Sequence, residues 1–142
     1  TGMEWAAGLN PRRDFILTVP GDTPFLPIDL RDRLFSALGS QNAVALAASK
    51  EKVHAVVGLW RVDLAEALRH AISDGMRKVA DWARQCRPAI VDFPVTRLDP
   101  FFNINSPADL CHAEREMGFI PPANDEKVNP GGRFHSRERS SR

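Results

Sequence analysis

Asp22 follows the apolar run Asp14-Phe15-Ile16-Leu17-Thr18-Val19, so it stands at the C-terminal edge of a strand expected to be covered on both faces. An ionised carboxylate at that edge can meet a divalent cation without being sealed into the core, and oxygen ligands of this kind suit Mg²⁺. Thr23 and Pro24 give Asp22 a second reading, an Asx turn in which the carboxylate only fastens the loop. Farther along, Asn103 and Asn105 stand two apart in a segment expected to be extended, so their side chains project to one side. Amides placed there can complete a metal shell or hold phosphate and other polar groups. They equally suit satisfying loop backbone and capping the helix expected to begin at Ser106. Arg77 and Lys78 follow Gly75 in the expected first turn of a helix, where backbone N–H groups already attract anions. The alternative there is a solvated basic face, although cations at a helix N-terminus oppose its dipole unless an anion sits with them.

Other chemistries find no support in the residue types. His54, His70, His112 and His135 share no metal-ligand spacing and no helical face, and His54, which opens an expected strand, reads as a surface or hydrogen-bonded histidine. There is no G-x-S-x-G elbow, no phosphate-binding P-loop and no glycine-rich dinucleotide fingerprint. Cys86 and Cys111 lie far apart and are too few for a disulfide framework, which favours a reducing cytoplasm. With 19 basic and 18 acidic residues the net charge is +1, so no long-range field selects nucleic acid or an anionic membrane, and any anion must be bound locally. No apolar run approaches the roughly 20 residues of a membrane span.

The elements that must position these residues follow from periodicity. The chain has 142 residues, 43% of them hydrophobic, enough for one domain with a buried core. After the strand at 14–19, Leu30, Leu34, Phe35 and Leu38 share one helical face, and Gly39 stands where a C-terminal cap belongs. Strands are expected at 43–48 and 53–60, joined as a hairpin by the polar turn 49–52. Two short helices follow, one carrying Ala65, Leu68 and Ile72 and ending near Asp74-Gly75, the other carrying Val79, Trp82 and Ala83 and stopped by Pro88. A last strand at 89–93 leads to a helix that opens with the capping serine Ser106, proline at the first helical position and Asp109, and that buries Leu110, Ala113 and Met117. Beyond Gly118 the prolines and the Gly131-Gly132 pair end all periodicity, so residues 119–142 are expected to form a disordered tail. Strands alternating with helices predict an α/β fold with a mixed, mainly parallel sheet and helices on both faces, its chemistry in the loops 20–24, 75–78 and 99–107. The residues from Gly2 to Leu9 read as a helix already under way, which suggests an interior cut in a longer chain.

Taken in order and spacing, Leu17-Thr18-Val19-Pro20-Gly21-Asp22-Thr23-Pro24-Phe25-Leu26-Pro27, then Gly58-Leu59-Trp60, then Arg77-Lys78-Val79, then Phe102-Asn103-Ile104-Asn105-Ser106-Pro107-Ala108-Asp109-Leu110 resemble the molybdenum cofactor guanylyltransferases. P-x-D-x-P-F recurs across nucleotidyltransferases, and the later F-x-N-x-N-S-P-x-D-L run makes the combination specific. The resemblance covers about residues 1–114 and implies that residues 1–118 are the C-terminal part of a three-layer α/β/α nucleotidyltransferase domain of the glycosyltransferase-A, Rossmann-like kind. It implies transfer of GMP from GTP to molybdopterin with Mg²⁺ as cofactor and release of pyrophosphate. It places Asp22 as a metal ligand, Asn105 as the candidate second ligand, and Arg77, Asn103 and Asn105 at molybdopterin binding and catalysis. The family's glycine-rich GTP-binding loop has no counterpart in these residues, and Gly21 and Ser106 stand where cysteine and threonine are frequent. The implied partners are GTP, molybdopterin, other cofactor-biosynthesis proteins and molybdoenzyme chaperones. The alternatives left open are a CTP-using cytidylyltransferase, a sugar-phosphate nucleotidyltransferase, and a non-catalytic molybdopterin-binding module.

Overall fold

A computed structural model describes residues 2–9, 13–39 and 42–118; the tail expected at 119–142 lies outside the described residues. The first helix, α1 (Gly2–Ala7), is followed by β1 (Phe15–Thr18), α2 (Leu30–Leu38), β2 (Val44–Ser49) and β3 (Lys52–Arg61). A 3-10 turn at Val62–Leu64 leads into α3 (Ala65–Ser73), and α4 (Val79–Gln85), β4 (Ala89–Asp92) and α5 (Pro107–Met117) complete the order.

The four strands form one mixed sheet in the order β1-β3-β2-β4. β3 pairs antiparallel with both β1 and β2, and β2 pairs parallel with β4. The sheet is therefore mixed as expected, but only one of its three pairings is parallel. The reason lies in the two-residue turn between β2 and β3. Lys50 and Glu51 take φ of 47° and 63°, left-handed backbone at both central positions, which matches the twist of paired strands and joins them only as an antiparallel hairpin. β1, β2 and β4 nevertheless point the same way, so Thr18, Ser49 and Asp92 all deliver the chain to one edge of the sheet.

Side-chain alternation along the strands divides the core into two layers. Ala45 and Ala47 of β2 and Val57 and Leu59 of β3 pack with Leu30, Leu34 and Leu38 of α2 and with Phe93 and Phe101. On the opposite face Val44, Leu46 and Trp60 meet Met3 of α1 and Trp82 and Ala83 of α4, with Trp60 and Trp82 stacked at 5.2 Å between ring centroids. Every residue of β2 is buried, as a strand covered on both faces must be, and the arrangement is an α/β/α sandwich.

Three expectations about burial change. Leu17 of β1 is 41% exposed, because β1 ends the sheet among the described residues and has only β3 beside it. Phe35 is 56% exposed: the buried row of α2 is Leu30, Leu34 and Leu38, spaced by four, and Phe35 instead packs edge-on against Phe15 at 5.5 Å. In α5 only Ala113 is buried, while Leu110 and Met117 are exposed. Around Ala113 the partly buried residues are polar, Asp109, His112, Glu114 and Glu116, and His112 packs against Phe102, so Leu110 and Met117 form no buried stripe.

Candidate functional site

The loop after β1 and the loop before α5 meet. Ile104 donates its backbone N–H to the Asp22 carbonyl at 2.8 Å, and the Asn103 amide donates from Nδ2 to Oδ2 of Asp22 at 3.0 Å. Thr23, buried between them, has its hydroxyl 3.4 Å from Oδ1 of Asn103 and 3.5 Å from Oδ1 of Asp22. Residues 81 positions apart thus share one junction at the sheet edge to which β1 points.

A capping box at the start of α5 sets the geometry of the second loop. The Ser106 hydroxyl accepts from the Asp109 backbone N–H at 3.2 Å and donates to Oδ2 of Asp109 at 2.8 Å, and that same oxygen accepts from the Asn105 backbone N–H at 3.1 Å. The Ser106 hydroxyl, aided by the Asn105 backbone, holds the Asp109 carboxyl below its ordinary range. Asn105 contributes its backbone to the cap and is exposed, and its side chain makes no hydrogen bond to another described residue. Asn103 bonds Asp22 directly; Asn105 shares the Asn103 loop and makes no hydrogen bond to Asp22.

Asp22, Asn103 and Thr23 supply hard oxygen donors. Among the described residues no three His, Cys, Asp or Glu side chains gather as a metal cluster. One partly exposed carboxylate with an amide and a hydroxyl is too sparse for zinc, yet it fits Mg²⁺, which retains waters and takes phosphate oxygens alongside one or two protein carboxylates.

Arg77 and Lys78 stand elsewhere than expected. α4 begins at Val79, after Lys78 in extended backbone (φ −110°, ψ 121°), so neither residue lies in a helical first turn, and the seven-residue helix offers them no anchored anion site. Arg77 lines a groove between α3 and α4 with His70, Asp74 and Asp81. Lys78 borders that groove and also the cavity that holds Thr23 and Asn103. Gly75 (φ 91°) closes α3 and α4 starts only at Val79, so both residues lie in the connection between the two helices.

Beside the junction runs a polar chain of which the sequence indicated only His54, as a hydrogen-bonded histidine. Ser49, 1% exposed, has its hydroxyl 2.8 Å from Nε2 of His54 and 2.9 Å from both oxygens of Asp99, which also accepts from the Phe101 backbone at 2.9 Å. The single hydroxyl proton goes to the carboxylate, which has none to give, so Nε2 of His54 carries the hydrogen that Ser49 accepts. The histidine ring also packs on Phe101 at 4.7 Å. In sequence, Ser49 and His54 are diagonal neighbours across a tight hairpin, which was a usable signal; nothing marked Asp99.

Burial lowers the His54 pKa below its ordinary value, outweighing the nearby Asp99 charge that would raise it. The folded state thus binds the His54 proton more weakly than the unfolded chain. The stabilisation this gives is fully present above pH about 6.5 and is lost as pH falls toward the folded pKa. Urea unfolding at pH 7.5 and 5.5 should show a smaller drop in midpoint for His54→Gln than for the parent chain; equal drops would mean another group carries the dependence.

Comparison with known proteins agrees with this architecture. Residues 1–89 match the family described as MobA-like NTP transferase domain. A protein of Bradyrhizobium sp. (strain ORS 278) named molybdenum cofactor guanylyltransferase is 44% identical over 116 residues, covering 80% of this chain and 55% of that protein. One of the same name from Rhizobium leguminosarum bv. trifolii (strain WSM2304) is 46% identical over 119 residues, covering 80% and 56%. The crystal structure of molybdopterin-guanine dinucleotide biosynthesis protein A from Archaeoglobus fulgidus shares the fold at a TM-score of 0.55 and 22% identity, over 75% of this chain and 57% of that one. The chain spans about half the length of the curated relatives it matches.

Proposed function

This chain belongs to the MobA-like NTP transferase family, and from that membership we propose that it is the acceptor- and metal-holding part of a molybdenum cofactor guanylyltransferase, which moves GMP from GTP to molybdopterin. The observation that supports the reading best is the junction of Asp22 with Asn103 across 81 residues of sequence, at the sheet edge where three strands end. The names of the relatives, at 44% and 46% identity, point the same way.

In the reaction an oxygen of the acceptor phosphate attacks the α-phosphorus of GTP; one P–O bond forms as the bond to pyrophosphate breaks. A phosphate nucleophile is already ionised at neutral pH, so no side chain has to remove a proton, and the protein's task is positioning and charge neutralisation. Asp22 would hold Mg²⁺, with Asn105 as second ligand, and the ion when bound supplies charge neutralisation at the nucleotide oxygens. Asn103 keeps the Asp22 carboxylate oriented and, with Asn105, offers amides to molybdopterin. Arg77, which lines the adjoining groove, would serve as a cation for the same ligand. The cofactor-biosynthesis proteins and molybdoenzyme chaperones that supply or accept molybdopterin are the partners this role requires, and the free thiols of Cys86 and Cys111 suit a reducing cytoplasm.

The full-length protein supplied with molybdopterin and Mg²⁺ should transfer GMP from GTP at least about a hundredfold faster than CMP from CTP, as sites that read a base by hydrogen bonds do. Radiolabelled nucleotide transfer measures this. Preference for CTP would make the protein a cytidylyltransferase, and transfer from neither would favour a binding module.

A further inference from the structure

A cavity of about 480 Å³ opens beside the Asp22 junction, bordered by Pro20, Thr23, Lys52, His54, Lys78 and Asn103. Its outer wall is the start of β3. The pairing of β3 with β2 slips between Leu46, opposite Gly58, and Ala47, opposite His54, so residues 55–57 bulge out of register, a device that re-aims side chains next to sites. Lys52 and His54, two apart on this strand, face the same way.

The charge of this cavity is one-sided. Among the described residues no aspartate or glutamate lines it. Lys52 and Lys78, like Lys50, Arg77, Arg87 and Arg97, have no ion-pair partner among the described residues, but these two are the cations that line this cavity. The Asp22 carboxylate adjoins the cavity through Asn103 and Thr23, and Asp99, behind His54, is occupied by Ser49 and the Phe101 backbone. His54 is fixed by the same Ser49, so the cavity carries two unpartnered ammonium groups and an oriented imidazole. Val56, Val79 and Phe101 line the remainder and would cover an apolar ring face.

We propose that this cavity binds the phosphate monoester of the acceptor, with Lys52 and Lys78 neutralising its charge and His54 shaping the floor. The assignment rests on the transferase reading above and deepens it, because the attacking phosphate must lie next to the carboxylate that serves the nucleotide's metal, and Thr23 and Asn103 belong to both the cavity and the Asp22 junction.

The test uses the full-length protein and the variants Lys52→Ala, Lys78→Ala and their double, with Lys78→Arg as the charge-retaining control. KM for molybdopterin should rise about tenfold in each single variant, about 1.4 kcal/mol of binding, and further in the double. KM for GTP and kcat should stay within twofold, and Lys78→Arg should recover most of the loss. In parallel, the affinity for inorganic phosphate, read by calorimetry without nucleotide, should fall in the same variants. An unchanged acceptor KM in an active enzyme overturns the proposal while the transferase reading stands, and a rise in the KM for GTP instead assigns the cavity to the nucleotide and overturns it too. If the wild type transfers no GMP, phosphate affinity that depends on Lys52 and Lys78 still supports an anion cavity; phosphate affinity indifferent to both lysines ends it.

Discussion

Asp22→Ala in the full-length protein should lower GMP transfer by about a thousandfold, the upper end of what removing one aimed polar group costs a transferase, while leaving stability nearly unchanged. The two halves of that result come from different parts of the residue. Its backbone carbonyl, which takes the Ile104 N–H at 2.8 Å, survives the substitution and keeps the two loops together. Its carboxylate is partly exposed and, among the described residues, engages only Asn103 and the Thr23 hydroxyl, so its loss should change the unfolding free energy by no more than about 1 kcal/mol. Transfer assays at saturating GTP and molybdopterin, beside urea unfolding, separate the two.

Asp22→Asn sharpens the case because it divides the metal-holding reading from the Asx-turn reading. An asparagine there has the same size, and its amide oxygen can still accept from Nδ2 of Asn103, so the loop junction persists without the negative charge. If charge is what Asp22 contributes, Asp22→Asn should be nearly as inactive as Asp22→Ala, and whatever activity remains should require more Mg²⁺. Activity close to wild type in the asparagine variant would reduce Asp22 to a fastener of its loop and remove the metal assignment.

Where a signal was local, the sequence carried it through to the structure. The serine, proline and aspartate at 106, 107 and 109 specify a helix start by reciprocal hydrogen bonds within four residues, and α5 begins there with that geometry. The strands at both sides of residues 50–51 likewise announce a hairpin. What did not read through were facts that depend on neighbours. The periodicity of α5 offers Leu110 and Met117 as a buried stripe, but the partly buried residues around Ala113 are Asp109, His112, Glu114 and Glu116, and no helical wheel encodes what lies opposite. Arg77 and Lys78 are adjacent in sequence, yet only Lys78 lines the cavity that Asn103 also lines. The hydrogen bond of Ser49 to Asp99 joins a strand end to a loop 50 residues later, with no spacing rule to expose it. Asp22 and Asn103 were linked beforehand only through the family resemblance; their contact is a product of β1 and the loop before α5 sharing one sheet edge.

A second large effect is expected on the fold itself, at Gly58. It sits where β3 is paired on both sides, opposite Thr18 of β1 and Leu46 of β2, at the last regular pair before the register slips. A Cβ there would stand 2.6 Å from Cδ2 of Leu46, 3.0 Å from the Ala45 carbonyl oxygen and 3.3 Å from Nε1 of Trp60. Leu46 has little room to yield, since it is packed with Trp60 and Trp82, and the Ala45 oxygen belongs to the central strand. Gly58→Val should therefore lower the unfolding free energy by about 3 kcal/mol, the upper part of the range for overpacking a core, with Gly58→Ala costing less. Leu46→Ala alone should also destabilise by leaving a void, but combined with Gly58→Val the losses should fall short of their sum by more than about 0.5 kcal/mol, because the deletion makes room for the insertion. Urea midpoints for the wild type, the two single variants Gly58→Val and Leu46→Ala, and their double complete the cycle. Additive losses would mean that the valine does not meet Leu46, and the pairing of Gly58 with Leu46, and the bulge that shapes the cavity beyond it, would have to be redrawn.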